Sequence, residues 1–213
     1  MAMRPAFAAA GQNSSEVLGD LWAHIRDHLA LSASALAIAL MIAIPLGVFT
    51  VRNPALGGPA LTLVNVLRAI PSLAIVGLAI PVLGVGFVPS VAALAVLAVP
   101  PIAIAVGTGL RGVPAAIREA ALGLGMDERD VRRRVDWPLA LPVMFSGFHT
   151  ATVEVIASAT LAAFIGGGGL GELIVNGLAN NDLTSLLAGA VSVAALTLGA
   201  ELFLGALERR LTV

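Results

Sequence analysis

The sequence contains no cysteine, no tyrosine and no lysine, and its twelve basic residues are all arginine. Without cysteine there is no disulfide framework, no thiolate nucleophile and no Cys-ligated metal site. Aromatic residues make up only 4%, which leaves few rings to converge on a quaternary cation as an aromatic cage requires. Charge is scarce as well: 12% of residues are charged against 58% hydrophobic, with a mean hydropathy of +0.97. A soluble domain carries about 25% charged residues, so an ordinary soluble fold is excluded. At about 20 apolar residues per helical span, the 213 residues hold roughly five spans and no soluble catalytic domain of ordinary size. The net charge of -1 carries little, because in a membrane the placement of charge matters more than its sum.

Five apolar segments of spanning length occupy about 29 to 51, 60 to 83, 88 to 110, 139 to 165 and 185 to 207. Glycine and proline mark turns within 53 to 59 and 84 to 89. If the spans alternate, Arg52, Arg68, Arg111, Arg118, Arg129, Arg132, Arg133, Arg134, Arg209 and Arg210 share one side, and Arg4 and Arg26 the other. The positive-inside rule then puts the N terminus outside, the C terminus inside and residues 111 to 137 in the cytoplasm. The expected fold is an all-α polytopic membrane protein of five transmembrane helices, with an interfacial helix at the N terminus and a coupling helix in the cytoplasmic loop.

Residues 1–28 form the external, interfacial segment. Its apolar run over Met1 to Ala10 is too short for the core of a secretory signal, so no cleavage is expected. From Ser14, Val17, Leu18, Leu21, Trp22 and Ile25 alternate with Glu16, Asp20, His24 and Asp27 at helical spacing, which suits a helix lying in the interface. His24 and His28 stand four apart, with Asp20 able to join them, yet no further ligand spacing supports a metal site; none is expected. The spans carry Pro45, Pro71, Pro81, Pro100 and Pro101, each either a bend lining a cavity or a static kink shaping the bundle.

The most informative stretch is RGVPAAIREAALGLGMDERDVRRRVDWPLALP, Arg111 to Pro142. Pro114 stands where a first-turn proline belongs, Ala115 to Leu122 favour helix, and Gly123 or Gly125 can supply a left-handed stop. A second short helix starts with Asp127 as cap and ends near Arg132 to Arg134. Ala116 and Ala120 share a face that another protein could approach closely, although alanine is also simply the best helix former.

Glu119-Ala120-Ala121, then Gly125 after three residues, then Val135-Asp136-Trp137-Pro138 after nine resembles the EAA loop of binding-protein-dependent ABC importer permeases. In that motif E-A-A, three residues, G, nine residues and I-x-L-P form the cytoplasmic coupling element; here Val replaces Ile and Trp137 replaces Leu. Arg68 to Ala74, Gly84 to Phe87, His149 to Val153 and Ala162 to Gly171 are similar to the osmoprotectant branch, permeases for glycine betaine, choline, carnitine and related quaternary amines. The resemblance covers about residue 29 to the C terminus, so 29–213 is the expected transmembrane domain. It implies a multi-pass permease in the cytoplasmic membrane of a prokaryote, working by alternating access. It further implies a second permease chain, identical or paralogous, two cytoplasmic ATPase subunits and an external substrate-binding protein. ATP and Mg would be held by the ATPase, with no cofactor on this chain, which would not itself be an enzyme; no nucleic-acid partner is expected. Glu119, Ala120, Ala121 and Gly125 are the expected coupling residues.

Gly166 to Gly171 satisfies G-x-G-x-x-G but follows a membrane span rather than a strand, so it is not a dinucleotide site. The external segment 166–184 is either a re-entrant turn or a flexible connector. Its Glu172, Asn176, Asn180, Asn181 and Asp182 are available to a docking protein.

Ser146, Thr150, Glu154 and Ser158 recur every four residues, and Thr62, Asn65, Arg68 and Ser72 every three or four, so each set lies along one helix face. Polar faces avoid lipid, and an ionisable residue within a span is a functional candidate. These faces are the candidate translocation path, with Glu154 either a counter-charge for a cationic solute or a structural partner of Arg68 or a neighbouring helix. Glu201 is expected to snorkel towards the cytoplasmic side. No aromatic set converges in the spans, so high-affinity recognition is expected on the separate binding protein. The rival readings are a permease for an amino acid such as methionine, a proton-coupled secondary carrier using Glu154 and Glu201, and a membrane anchor. A carrier would usually show inverted repeats, and none is visible.

Overall fold

A computed structural model describes residues 4–211, with side chains described from Leu21 onward except that of Pro54. All regular structure among them is helical: α1 (Arg4–Arg52), α2 (Pro54–Leu67), α3 (Ser72–Leu83), α4 (Phe87–Arg111), α5 (Ala115–Gly123), α6 (Glu128–Val131), α7 (Trp137–Ser158), α8 (Leu170–Ala179) and α9 (Leu183–Leu211). A π-helical turn, Arg132–Asp136, precedes α7, and a 3-10 helix, Ala159–Ile165, follows it. Four helices are long and apolar enough to cross a membrane, or five when α2 and α3 count as one interrupted span.

The expected interfacial helix is not separate from the first span. No proline stands between Pro5 and Pro45, and α1 continues unbroken to Arg52. The side chains of Glu16, Val17, Leu18 and Asp20 lie outside the described residues. The expected span 60 to 83 is interrupted at residues 68–71. Arg68, Ala69 and Ile70 each donate their amide three residues back, at 3.2, 3.0 and 3.3 Å. The tightening stops at Pro71, which disfavours helix in the residue before it and has no amide to continue the ladder.

The chain groups into two units, named only for the side expected of their loops: an outer unit, Met1–Ala35, Ser72–Leu94 and Val155–Gly199, and an inner unit, Leu36–Pro71, Ala95–Glu154 and Ala200–Val213. In the outer unit the 3-10 helix packs on α3 and α8, and the Gly86 amide donates to the Ile165 carbonyl at 2.6 Å. Residues 166–169 are therefore an ordered turn, and α8 makes much of the following segment helical. Gly171 lies so close to the Thr160 carbonyl that a Cβ there would overlap it. In the inner unit α5, α6 and the π-helical turn pack on one another. The most buried span is α4, with 72% of its central window enclosed, whereas α9 has 6%. The exposed Leu187, Val191, Leu198, Leu202 and Phe203 of α9 suit lipid or other helices, as expected of a membrane chain.

Candidate functional site

The loop between α4 and α7 is built by local sequence. Pro114, with φ -61° and ψ 130°, holds extended backbone immediately before α5, and its carbonyl accepts the Ile117 amide at 3.1 Å. At the other end Leu124 donates to Ala120 at 3.0 Å and Met126 to Ala121 at 3.2 Å. Gly125 sits at φ +89°, so it is Gly125 that provides the left-handed closure. Of the four expected coupling residues, Ala121 packs inward while Glu119, Ala120 and Gly125 are exposed. Beside them Leu124 is 86% exposed, and Glu119 and Leu122 border a cleft of about 230 Å³ with Arg118, Glu128 and Val131. This places an exposed acid among exposed apolar side chains, outside the spans.

Asp127 caps α6 as expected, its carboxylate accepting the Asp130 amide at 2.7 Å. The second loop helix does not end at Arg132 to Arg134, however. It widens into the π-helical turn and runs on into α7 as one helix from Glu128 to Ile165. No glycine stands between Glu128 and Ser146, and Pro138, whose ring would clash with the Arg134 carbonyl in a regular helix, is accommodated by the wider turn. Arg132 and Arg134 pair with Glu128 and Asp130 at 3.2 and 3.5 Å. Asp136 is buried, and its ion-pair partner is Arg118 of α5 at 3.4 Å. That pair fastens α5 to the root of α7.

The expected path residues of the second segment, Thr62, Asn65 and Arg68, are exposed on α2 and at its end, with Ser72 half-buried at the start of α3. Thr62 and Thr150 donate to the carbonyls of Gly58 and Ser146 at 3.1 and 3.0 Å. Ser146, Glu154 and Ser158 are half-buried. Among the described residues Glu154 and Arg68 form no ion pair, either with each other or elsewhere. Glu154 instead lines a recess of about 310 Å³ with His149, Thr150, Val153 and Glu201.

His149 is the residue that sequence reasoning missed. Its Nδ1 lies 2.8 Å from Glu208 and its Nε2 3.2 Å from Glu201. Only the Nδ1 contact with Glu208 is a hydrogen bond; Nε2 faces the Glu201 carboxylate without one. Glu201, Gly205 and Glu208 follow at positions i, i+4 and i+7 and so share one face of α9. A Cβ on Gly205 would sit 3.6 Å from the His149 Cε1, so the ring rests against α9 where that helix has no side chain. Glu201, expected to snorkel, has its carboxylate beside this imidazole.

In the outer unit His24 and His28 serve different elements. His24 lies 3.9 Å from Glu172 of α8. His28 is fully buried and its Nε2 donates to the Ile156 carbonyl at 2.9 Å, three residues before the helix tightens into 3-10. Of the expected docking residues, Glu172 is half-exposed and Asn176 exposed, with the Asn176 carbonyl accepting the Asn180 amide at 3.0 Å. Asp182 faces its own helix, accepting the Thr184 amide at 3.0 Å and the Ser185 hydroxyl. Those bonds, the Ser185 hydroxyl first, hold its carboxyl below the usual carboxylate range.

With this geometry in place, similarity to known proteins is informative. The family model described as binding-protein-dependent transport system inner membrane component matches residues 29–213. The choline transport system permease protein OpuBB of Bacillus subtilis is 40% identical over 194 residues, 91% of this chain and 89% of the relative. The carnitine transport permease protein OpuCB of Listeria monocytogenes is 38% identical over 201 residues, covering 94% and 90%. The osmoprotectant import permease protein OsmW of Salmonella typhimurium is 40% identical over 191 residues, covering 87% and 89%. Among solved structures, a chain of the inward-facing MetNI methionine ABC transporter superposes with a TM-score of 0.79 at 22% identity, covering 92% of this chain and 98% of that one.

Proposed function

The chain belongs to the family of binding-protein-dependent transport system inner membrane components, and from that premise we propose that it is the permease subunit of an ATP-driven importer for a small osmoprotectant-type quaternary amine such as glycine betaine, choline or carnitine. The observation that carries the substrate class is the identity of about 40%, along nearly the whole chain, to permeases named for choline, carnitine and osmoprotectants. Likeness to the methionine transporter, at 22% identity, is one of fold alone, so the amino-acid reading has less support. A secondary carrier or a simple anchor leaves the coupling loop without a role.

Two permease chains, identical or paralogous, pack around a shared path; two ATPase chains hold ATP and Mg, and an external protein delivers the solute. This chain contributes no catalytic residue. Closure of the ATPases draws on the exposed face of α5, with Glu119 as the charged contact. The Arg118–Asp136 pair supports passage of that displacement into the helix Glu128–Ile165. Glu154 and Glu201, in the recess beside His149, offer negative charge to a cationic head in transit, and Glu172 and Asn176 face the binding protein. Phe145 and Phe148 stack 5.9 Å apart within one helix and do not make a cage, so tight recognition stays with the binding protein.

Cells expressing the permease with its ATPase and binding protein should accumulate a labelled betaine, choline or carnitine, resist an uncoupler and stop on ATP depletion. Uptake of methionine without uptake of any quaternary amine overturns the substrate class. Loss of uptake on uncoupling, with ATP intact, overturns the energy source.

A further inference from the structure

The ends of α1 and α4 and the start of α7 border an open cleft of about 430 Å³, of which the transport reading uses only the Arg118–Asp136 pair. Val48, Val51 and Leu110 form its apolar wall; Arg52, Arg118 and Arg132 face it with a single carboxylate, Asp136; Trp137 stands at its rim, 39% exposed. Two of the three guanidiniums already have acidic partners, Arg118 with Asp136 and Arg132 with Glu128. Arg52 is exposed and, among the described residues, takes part in no ion pair.

Along α1, Met41, Ile42, Pro45 and Phe49 are exposed. They recur at i, i+1, i+4 and i+8, with Arg52 at i+11, and so form one face of the helix. An apolar stripe thus runs through a membrane-spanning helix and ends at an unpaired guanidinium, in the zone where the chain leaves the apolar layer on its arginine-rich side. Guanidinium is the group best matched to phosphate oxygens, tryptophan favours the headgroup level, and basic pockets between spans on that side suit anionic headgroups.

We propose that this cleft binds the phosphate headgroup of an anionic membrane phospholipid, with an acyl chain along Met41, Ile42, Pro45 and Phe49. The net positive charge of the cleft favours such a lipid over a zwitterionic one, whose choline group would add a cation beside the arginines. An acyl stripe continuous with the basic end distinguishes the site from one for a free anion.

The test uses the intact transporter, purified with its partner chains and reconstituted in phosphatidylcholine bilayers containing graded phosphatidylglycerol, with retained lipid counted by native mass spectrometry. Phosphatidylglycerol should be retained in preference to phosphatidylcholine, and the pair Arg52→Gln with Arg132→Gln should weaken its retention about twentyfold. Arg52→Lys should keep most of it. Arg133→Gln, which removes the same charge from the same loop outside the cleft, should leave it unchanged, and inorganic phosphate should not displace it. Equal retention of the two lipids, an equal loss in Arg133→Gln, displacement by inorganic phosphate, or unchanged retention in the double variant each overturns the proposal. Independently of any change to the cleft, Trp22→Phe leaves Trp137 as the lone tryptophan of this chain, the signal of the partner chains being subtracted with a Trp22→Phe, Trp137→Phe preparation. The Trp137 fluorescence should be quenched more by brominated phosphatidylglycerol than by brominated phosphatidylcholine; equal quenching, as when a neighbouring protein chain fills the cleft, also overturns it.

Discussion

The outer and inner units share close backbone packing and differ in their ionic ties. In the outer unit the Gly86 amide meets the Ile165 carbonyl and Gly171 abuts the Thr160 carbonyl; in the inner unit Gly109 and Gly147 lie against the Ala140 and Pro101 carbonyls. Even the buried His28 spends its hydrogen on a main-chain oxygen. The inner unit adds shorter ionic ties between elements, Arg118 to Asp136 and His149 to Glu201 and Glu208, in which one or both partners are partly exposed, where the outer unit has the 3.9 Å contact of His24 with Glu172. Close backbone packing admits neither a side chain nor much sliding. Partly exposed ion pairs are individually weak and can break and reform. The inner unit also carries the loop expected to couple, so the unit expected to receive mechanical input is the one with more reversible ties.

The sharpest way to break this contrast is Glu119→Arg. Glu119 is exposed and makes no ion pair among the described residues, so thermal unfolding should be unchanged. Reversing its charge at a protein contact costs several kcal/mol, enough to weaken ATPase association about a hundredfold or more. Uptake should fall accordingly, with either loss of the ATPase on co-purification or ATP hydrolysis that no longer drives transport. Normal uptake would remove α5 from the coupling role.

Next in size is Gly171→Ala in the outer unit. Its Cβ would overlap a main-chain carbonyl, which cannot rotate away as a side chain can, and forced overpacking costs about 3 kcal/mol. Gly168→Ala is the comparison: φ there is +86° and the surrounding space is open, so only backbone strain of about 1 kcal/mol is expected. Denaturant unfolding in lipid should separate the two; equal losses would mean that close approach is not what holds the outer unit.

What the sequence disclosed tracks how local each feature is. Pro114, Gly125 and Asp127 specify the ends of the loop helices through their own φ angles and side-chain oxygen, so α5 and the start of α6 were legible. The break at residues 68–71 had its signal in Pro71, but averaging over an apolar segment hides a single residue. Arg132 to Arg134 read as a helix end because basic residues favour one; that the helix continues depends on a π-helical turn that no composition reveals. The tie between His149 and Glu208 spans 59 positions. The Glu201–Gly205–Glu208 face is visible in the sequence, but which helix lies opposite it is a tertiary fact. Glu154 was legible as polar within a span, while its true neighbours were not.

A more moderate effect is expected at the tie between α5 and α7. Arg118→Gln leaves a buried carboxylate facing no cation, at a cost of about 2 kcal/mol, less than a fully buried pair because Arg118 is half exposed. Adding Asp136→Asn should recover much of that stability by removing the stranded charge. If the tie carries motion, the double variant should fold and still transport poorly. Recovery of stability and uptake together would reduce the pair to a structural role.

The smallest effect belongs to Asp182, where the outer unit does use a carboxylate, directed at its own backbone. The Ser185 hydroxyl and the Thr184 amide hold its pKa below the usual range. With the folded value below the unfolded one, about 3.9, the stabilisation of the first turn of α9 is fully present above that unfolded value and is lost as pH falls through the depressed folded value. Hydrogen exchange at Thr184, Ser185 and Leu186 should therefore quicken, relative to its intrinsic rate, on acidification in that window. Asp182→Ala should quicken it at neutral pH, and Asp182→Asn should flatten the pH dependence while keeping part of the cap. Affinity for the external binding protein should hardly change in either variant, in contrast to Glu172→Lys on the exposed side of α8. If Asp182→Ala instead abolishes docking while the exchange of α9 stays slow, the carboxylate faces a partner after all, and capping the first turn of α9 is not its role.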